Sequence, residues 1–175
     1  MRVHHPIKRM LIGAACAVAA AAAVLLTACG KEGNSKALTV GKDIAFSDIT
    51  DFYYTYDSSV NPPEFLRYRF SASQGSYRFY YEKRGGDHWP LTESDVTESV
   101  VRDLSQEEWT AFLETVSGGT VTKRQEQTET GSAGPWLFVH WNGDGGERQV
   151  FSFESNDKQA AFQALCTELK NKAGE

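Results

Sequence analysis

Few side chains after residue 29 have the type and spacing that catalysis or metal binding requires. The histidines of this part are His88 and His140, and its cysteine is Cys166. Two histidines could serve a metal ion, but no H-x-x-x-H, H-x-H or C-x-x-C spacing accompanies them. No G-x-S-x-G motif marks a serine nucleophile. We therefore predict isolated histidines on the surface or on a strand, no metal site, no cofactor and no enzyme activity.

Residues 142–147, NGDGGE, form a glycine-rich acidic segment. Oxygen-bearing side chains at alternate positions suggest a calcium loop, but a third alternating ligand and a distant bidentate glutamate are missing. Glycine and asparagine are also the residues that a tight turn requires. We predict a turn between two strands.

Cys166 can be either a reactive thiol or a small buried hydrophobic residue. It shares an i, i+3, i+4, i+7 apolar stripe with Phe162, Leu165 and Leu169. Free cysteine is among the residue types most often buried. We therefore predict that Cys166 lies in the core.

Aromatic side chains supply the candidate binding surface. Along a strand, alternation places Tyr53 and Tyr80 on faces opposite to Tyr54 and Tyr81, so one set alone can be core. The outward set could bind a glycan or peptide, and the predicted site residues are Tyr53, Tyr80, Trp89 and Trp141. The alternative is ordinary packing beneath helices or loops.

Three aromatic and β-branched segments, residues 49–56, 65–73 and 77–83, predict strands. Gln74 and Gly75 separate the second from the third, as in a two-residue hairpin turn. Pairing Ser73 with Ser76 sorts the aromatic residues to one face and polar residues to the other. The facing pairs are then Ala72 with Tyr77, Phe70 with Phe79 and Tyr68 with Tyr81, against Ser71 with Arg78, Arg69 with Tyr80 and Arg67 with Glu82.

Two amphipathic helices complete the domain. Ser105 and Glu108 form a capping box ahead of an apolar stripe that begins at Trp109. The second helix covers residues 156–170, after a possible cap at Ser155. Further strands are predicted at residues 135–141 and 147–154, with an exposed or edge strand at residues 120–129. Residues 96–104 are weakly patterned, with room for a short strand. We predict an α+β domain, with a single antiparallel sheet of about five to six strands and both helices on one face.

The amino-terminal segment has the features of an export signal. A basic start with Arg2, Lys8 and Arg9 precedes an apolar run over residues 11–26. That run is shorter than the ~20 residues that span a bilayer. The segment Leu26-Thr27-Ala28-Cys29 resembles the lipobox of bacterial lipoproteins.

The resemblance implies that Cys29 receives a diacylglyceryl group and that a peptidase cuts before it. Residues 1–28 would then be the lipoprotein signal peptide, residues 29–43 a lipidated flexible tether, and residues 44–175 one globular domain. In that family an aspartate after the cysteine signals retention in the inner membrane. Gly30 stands there instead, which leaves the choice of membrane open.

The charge of the chain after the signal excludes some partners. Three of the 18 basic residues and none of the 23 acidic ones lie in residues 1–28, which leaves a net charge of −8. Such a charge disfavours nucleic acid, whose binding depends on neutralising phosphates. It also disfavours electrostatic adhesion to anionic lipid. The membrane contact is therefore predicted to run through the lipid on Cys29.

Together these features predict a lipid-anchored protein on the extracytoplasmic face of a bacterial cell membrane. Its domain is expected to act by non-catalytic binding or scaffolding, with an envelope protein or glycan as ligand. The alternatives are a wall-directed envelope hydrolase without a recognisable motif, and a small inhibitor or immunity-type lipoprotein.

Overall fold

A computed structural model describes residues 36–123, 135–146 and 149–172. Its strands form one antiparallel sheet of eight, in the order β1-β6-β8-β7-β2-β3-β4-β5. The strands are β1 (Leu38–Thr39), β2 (Ile49–Ser58), β3 (Glu64–Ser73), β4 (Ser76–Gly85), β5 (Val96–Leu104), β6 (Thr120–Lys123), β7 (Trp136–Trp141) and β8 (Gln149–Ser152). The α+β class and the single antiparallel sheet are thus confirmed.

The hairpin of β3 and β4 has the predicted register. Ser73 pairs with Ser76, Phe70 with Phe79, and every other predicted pair is present. Gln74 and Gly75 have φ angles of 50° and 79°, both in the left-handed region that a two-residue turn of this kind requires. The aromatic side chains of the two strands therefore share one face, as predicted.

The strand number was predicted too low, at five to six instead of eight. β1 is two residues long, which is too short for a period-2 pattern to reveal it. β6, predicted to be exposed or at an edge, pairs with β1 on one side and β8 on the other. Residues 124–129 of that predicted strand lie outside the described residues.

The folded unit begins earlier than the predicted boundary at residue 43. Leu38 pairs with Val121. Val40 and Ile44 are 2% and 1% exposed, so both belong to the core. The segment that resembles a lipobox, with Cys29, and residues 30–35 of the predicted tether lie outside the described residues.

Both helices begin at the predicted caps. The helix α1 (Gln106–Val116) has the capping box: the Glu108 N–H donates to Ser105 Oγ at 3.1 Å, and the Ser105 N–H donates to Glu108 Oε2 at 2.9 Å. The helix α2 (Asn156–Lys172) starts where the Lys158 N–H donates to Ser155 Oγ at 3.2 Å. Neither described helix has the length and apolar character needed to cross a membrane.

Both helices pack on the same face of the sheet, which we call the inner face. Phe112 of α1 stacks on Phe70 with ring centroids 4.2 Å apart. Phe162 of α2 lies 5.4 Å from Phe52. All four of these side chains are fully buried. The alternate residues of β2, β3 and β4 form the opposite face, which we call the outer face.

Candidate functional site on the outer face

Tyr53 and Tyr80 lie on the outer face, on either side of Arg69. The strand register pairs Tyr53 with Arg69 and Arg69 with Tyr80. Arg69 Nη2 lies 2.6 Å from Asp51 Oδ1, and the guanidinium carbon lies 5.1 Å from the Tyr53 ring centroid. The two tyrosines therefore belong to a row of mixed aromatic and charged groups, not to a purely aromatic platform.

The two tryptophans proposed with them lie elsewhere. Trp141 pairs with Ile49 and packs against the core on the inner face, so it is not part of this surface. Trp89 is 48% exposed in the loop between β4 and β5. That loop approaches the outer face, because Arg84 Nη1 donates to the carbonyl oxygen of Leu91 at 3.4 Å.

A buried charged network on β4 was not recognised in the sequence. Glu82 is only 4% exposed, and its two carboxylate oxygens accept hydrogen bonds from Arg84 Nε and the Tyr80 hydroxyl. Tyr80, Glu82 and Arg84 are alternate residues of one strand, so period-2 spacing was the signal that could have revealed them. Burial and the bond donated to Glu82 raise the pKa of Tyr80 to about 12.

The acid side of the stability profile should report on Glu82. Burial alone would raise its pKa, but the bonds from Tyr80 and Arg84 outweigh that effect and hold the pKa below its usual 4.5. A carboxyl group with a lowered folded-state pKa stabilises the fold above its unfolded pKa and loses that effect as pH falls. We expect the free energy of unfolding to drop more steeply from about pH 5 to about pH 3 in the native chain than in Glu82→Gln.

Urea unfolding at a series of pH values measures this difference. The matched control is Glu64→Gln, which removes an exposed carboxylate from the start of β3 and should keep the native slope. An equally steep drop in Glu82→Gln would show that this carboxylate is not responsible for the acid sensitivity.

Beside this network lie two polar atoms without partners. Of the three such buried side-chain atoms in the described ranges, Arg67 Nε and Asp57 Oδ1 belong to the outer face. Arg67 is paired across the strands with Glu82, yet the Glu82 carboxylate is bonded to Tyr80 and Arg84. The Arg67 guanidinium carbon instead lies 5.0 Å from the Phe65 ring centroid.

Asp57 is the diagonal neighbour of Arg67, since it pairs with Phe65 on β3. Burial raises the pKa of Asp57, while the charges of Arg84 and Arg67 oppose the rise. Buried polar groups in native proteins are nearly always hydrogen-bonded. An unused donor and an unused acceptor at diagonal positions of paired strands therefore mark a place that water or a ligand can complete.

In the turn after β7, the carboxylate of Asp144 is bonded to groups of the turn and of β7. Asp144 Oδ1 accepts the Gly146 N–H at 2.7 Å, and Oδ2 lies 3.0 Å from Nδ1 of His140. Burial would raise the pKa of Asp144, but these bonds outweigh it and lower the pKa. Asp144 thus stabilises the turn, as the turn interpretation requires, while Glu147 lies outside the described residues.

The remaining candidate groups are placed apart. His88 is half exposed in the loop after β4, with Nε2 3.4 Å from Asp95. In the described parts of the chain, no three histidine, cysteine or acidic side chains are grouped closely enough to hold a metal ion. Cys166 is 0% exposed, which confirms its predicted place in the core. Burial raises the pKa of its thiol, and a protonated thiol is a poor nucleophile.

Comparisons of the chain with protein-family models, with curated proteins and with solved structures gave no match. The chemistry of the outer face is therefore the basis for a functional conclusion. That face combines unused hydrogen-bonding groups at Arg67 and Asp57 with a row of tyrosine and arginine side chains. Such an arrangement is suited to binding.

Proposed function

We propose that this protein is a lipid-anchored binding protein of the bacterial cell envelope, and that its outer face docks an extended segment of a partner protein. The observation that carries the docking proposal is the unpartnered pair of Arg67 Nε and Asp57 Oδ1. The lipobox resemblance and the net charge of −8 after residue 28 support anchoring through lipid on Cys29. Two acyl chains suffice for stable attachment.

A polypeptide main chain matches the unused donor and the unused acceptor better than a ligand that offers only acceptors or only donors. Each non-proline residue of a partner offers one C=O acceptor and one N–H donor. Arg67 Nε and Asp57 Oδ1 are buried in the free protein, so docking requires both side chains to shift outward. In the proposed complex, Arg67 then donates to a main-chain carbonyl and Asp57 accepts a main-chain N–H. A purely anionic ligand would satisfy Arg67 and repel Asp57.

The neighbouring side chains have the composition of an interface. Tyrosine and arginine are enriched among the residues that contribute most to protein–protein binding. Next to Tyr80, Val101 of the edge strand is 61% exposed, although it is apolar. Arg69 is already bonded to Asp51, so it can stack against a partner without losing its own ion pair.

The size of the surface sets the expected strength. The outer face extends over five strands spaced about 4.8 Å apart, with about four outward side chains along each strand spaced about 6.8 Å apart. It therefore covers roughly 20 by 20 Å, or about 400 Å². A standard interface buries about 800 Å² on each partner. We therefore expect a transient complex, unless the partner also reaches the loops around this face.

Site-specific photocrosslinking in the source cells tests the docking surface. A photoreactive residue at Val101, on the outer face, is expected to capture a discrete protein. The photoreactive residue placed instead at Thr110, an exposed position of α1, is the control and should not capture that protein. Capture at Val101 should decrease about tenfold in Arg67→Gln, through loss of a charged hydrogen bond.

Arg78→Gln is the matched variant for that experiment. Arg78 lies on the outer face, as Arg67 does, but it is exposed and forms an ion pair with Asp103 at 3.1 Å. Loss of an exposed ion pair has little effect on stability, so capture should persist. The proposal fails if Arg67→Gln and Arg78→Gln behave alike, if both positions capture the same set of molecules, or if the adducts are glycan or lipid.

A further inference from the structure

A cavity lies on the inner face, between the sheet and α2, away from the proposed docking surface. It has a volume of about 380 Å³, within the range of small-molecule sites. Four tyrosines of three adjacent strands line it, together with two polar residues of α2. They are Tyr54, Tyr56, Tyr68, Tyr81, Gln163 and Thr167. We call this cavity the tyrosine cleft.

Three of the four tyrosine hydroxyls have unused hydrogen-bonding capacity. Tyr81 donates to Glu98 at 3.1 Å and accepts from Lys170 Nζ at 3.3 Å, so its hydroxyl is satisfied. Among the residues that the structure describes, no hydrogen bond is made by the hydroxyls of Tyr54, Tyr56 and Tyr68. Tyr54 is only 8% exposed, and it lines the cleft.

The rings that carry these hydroxyls are held in place by packing. Tyr68 lies between Tyr54 and Tyr81, with ring centroids 6.0 Å and 5.3 Å away. Phe162 of α2 closes the cluster at 5.8 Å from Tyr54. The hydroxyls are therefore presented in a fixed arrangement, which reduces the side-chain entropy that the protein would lose on binding a ligand.

The chemistry of the lining selects the class of ligand. A tyrosine hydroxyl can both donate and accept, and so can the Gln163 amide. An apolar ligand would leave these groups without partners in a dry site, which is unfavourable. An anionic ligand would be attracted by Lys83, which lines the cleft, but repelled by Glu64, which lines it too. Neutral ligands with several hydroxyl groups satisfy the lining best.

We propose that the tyrosine cleft binds a single neutral sugar ring, with the hydroxyls of Tyr54 and Tyr68 as its principal partners. The Thr167 hydroxyl donates to the main-chain carbonyl oxygen of Gln163 at 2.9 Å. Its proton is therefore in use, and towards the sugar Thr167 acts as an acceptor. A ligand of this size with few anchors binds weakly, with a dissociation constant on the order of 1 mM. This site is independent of the docking surface on the outer face.

Saturation-transfer NMR on the full chain, purified in detergent, tests the proposal. The probes are glucose, N-acetylglucosamine and the anionic sugar glucuronate, each at about 10 mM. We expect transfer to at least one neutral sugar and weaker transfer to glucuronate. In the Tyr54→Phe/Tyr68→Phe double variant the affinity should fall about tenfold or more, since two hydrogen bonds are lost.

Two further variants keep the test decisive. Tyr77→Phe makes the same change on β4 at the opposite end of the inner face, where the ring stacks on Trp109 at 4.8 Å, and it should bind as the native chain does. Thr167→Val removes one acceptor at an exposed helical position and should weaken binding even if the double variant fails to fold.

The proposal is overturned if no neutral sugar binds, if Tyr77→Phe weakens binding as much as Tyr54→Phe/Tyr68→Phe, or if glucuronate binds most tightly. Arg67→Gln should leave sugar binding intact, which separates this test from that of the docking surface.

Discussion

Replacing Cys29 with alanine is expected to release the protein from the membrane fraction almost completely. Each buried CH₂ group contributes about 0.8 kcal/mol, and stable anchoring requires two acyl chains. A diacylglyceryl thioether on Cys29 would supply both. In cells fed labelled fatty acid, the native chain should sediment with membranes and carry label. Cys29→Ala should do neither, because a chain with a net charge of −8 after residue 28 has no electrostatic attraction to anionic lipid.

Cys16→Ala is the matched control, because it removes a cysteine from the apolar run of the same segment. It should keep both label and membrane association, since only the cysteine of the lipobox is expected to be lipidated. If Cys29→Ala still sediments with membranes and still takes up the label, the lipoprotein assignment is wrong. The docking test on the outer face would be unaffected by that result.

Replacing Phe162 with alanine is expected to give the largest loss of stability. The side chain is fully buried between the inner face and α2, with ring contacts to Phe52, Tyr54 and Phe70. Truncation of a buried phenylalanine removes its burial and leaves a cavity, at a cost of about 3–5 kcal/mol. Urea unfolding should therefore show a much lower midpoint with a similar denaturant slope.

Gln163→Ala is the control for that measurement. It changes the next residue of the same helix, which is exposed, and surface substitutions usually alter stability by no more than about 0.5 kcal/mol. A loss below about 1 kcal/mol in Phe162→Ala would mean that the inner face collapses around the missing ring. It would also mean that Tyr54 and Tyr68 are less firmly held than their contacts with Phe162 suggest.

Local patterns in the sequence were sufficient wherever the interacting residues are close together in the chain. The β3–β4 register follows from a two-residue turn and from side-chain alternation, and it is confirmed pair by pair. The caps at Ser105 and Ser155 are short-range hydrogen bonds between residues three positions apart. The burial of Cys166 follows from its position on an apolar helical stripe.

Long-range pairing could not be predicted in the same way. β2 lies between β3 and β7, and β7 is about 80–90 residues further along the chain. β1 becomes visible only through its partner β6, because two residues are too few to show a period. Trp141 was placed with the outward aromatic residues, but its pairing with Ile49 turns it towards the core.

The candidate sites depend on the same distinction. Sequence alone determined that Tyr53 and Tyr80 share a face opposite to Tyr54 and Tyr81, since alternation is a property of the extended backbone. It also determined the charge of the chain and the lipobox resemblance. Only the tertiary structure decided that Glu82 bonds to Arg84 and that Arg67 Nε has no hydrogen-bond partner among the described residues, because both arginines are near enough to compete for the carboxylate. Likewise, the tyrosine cleft exists because α2 packs across strands that precede it by about 100 residues, which no local pattern encodes.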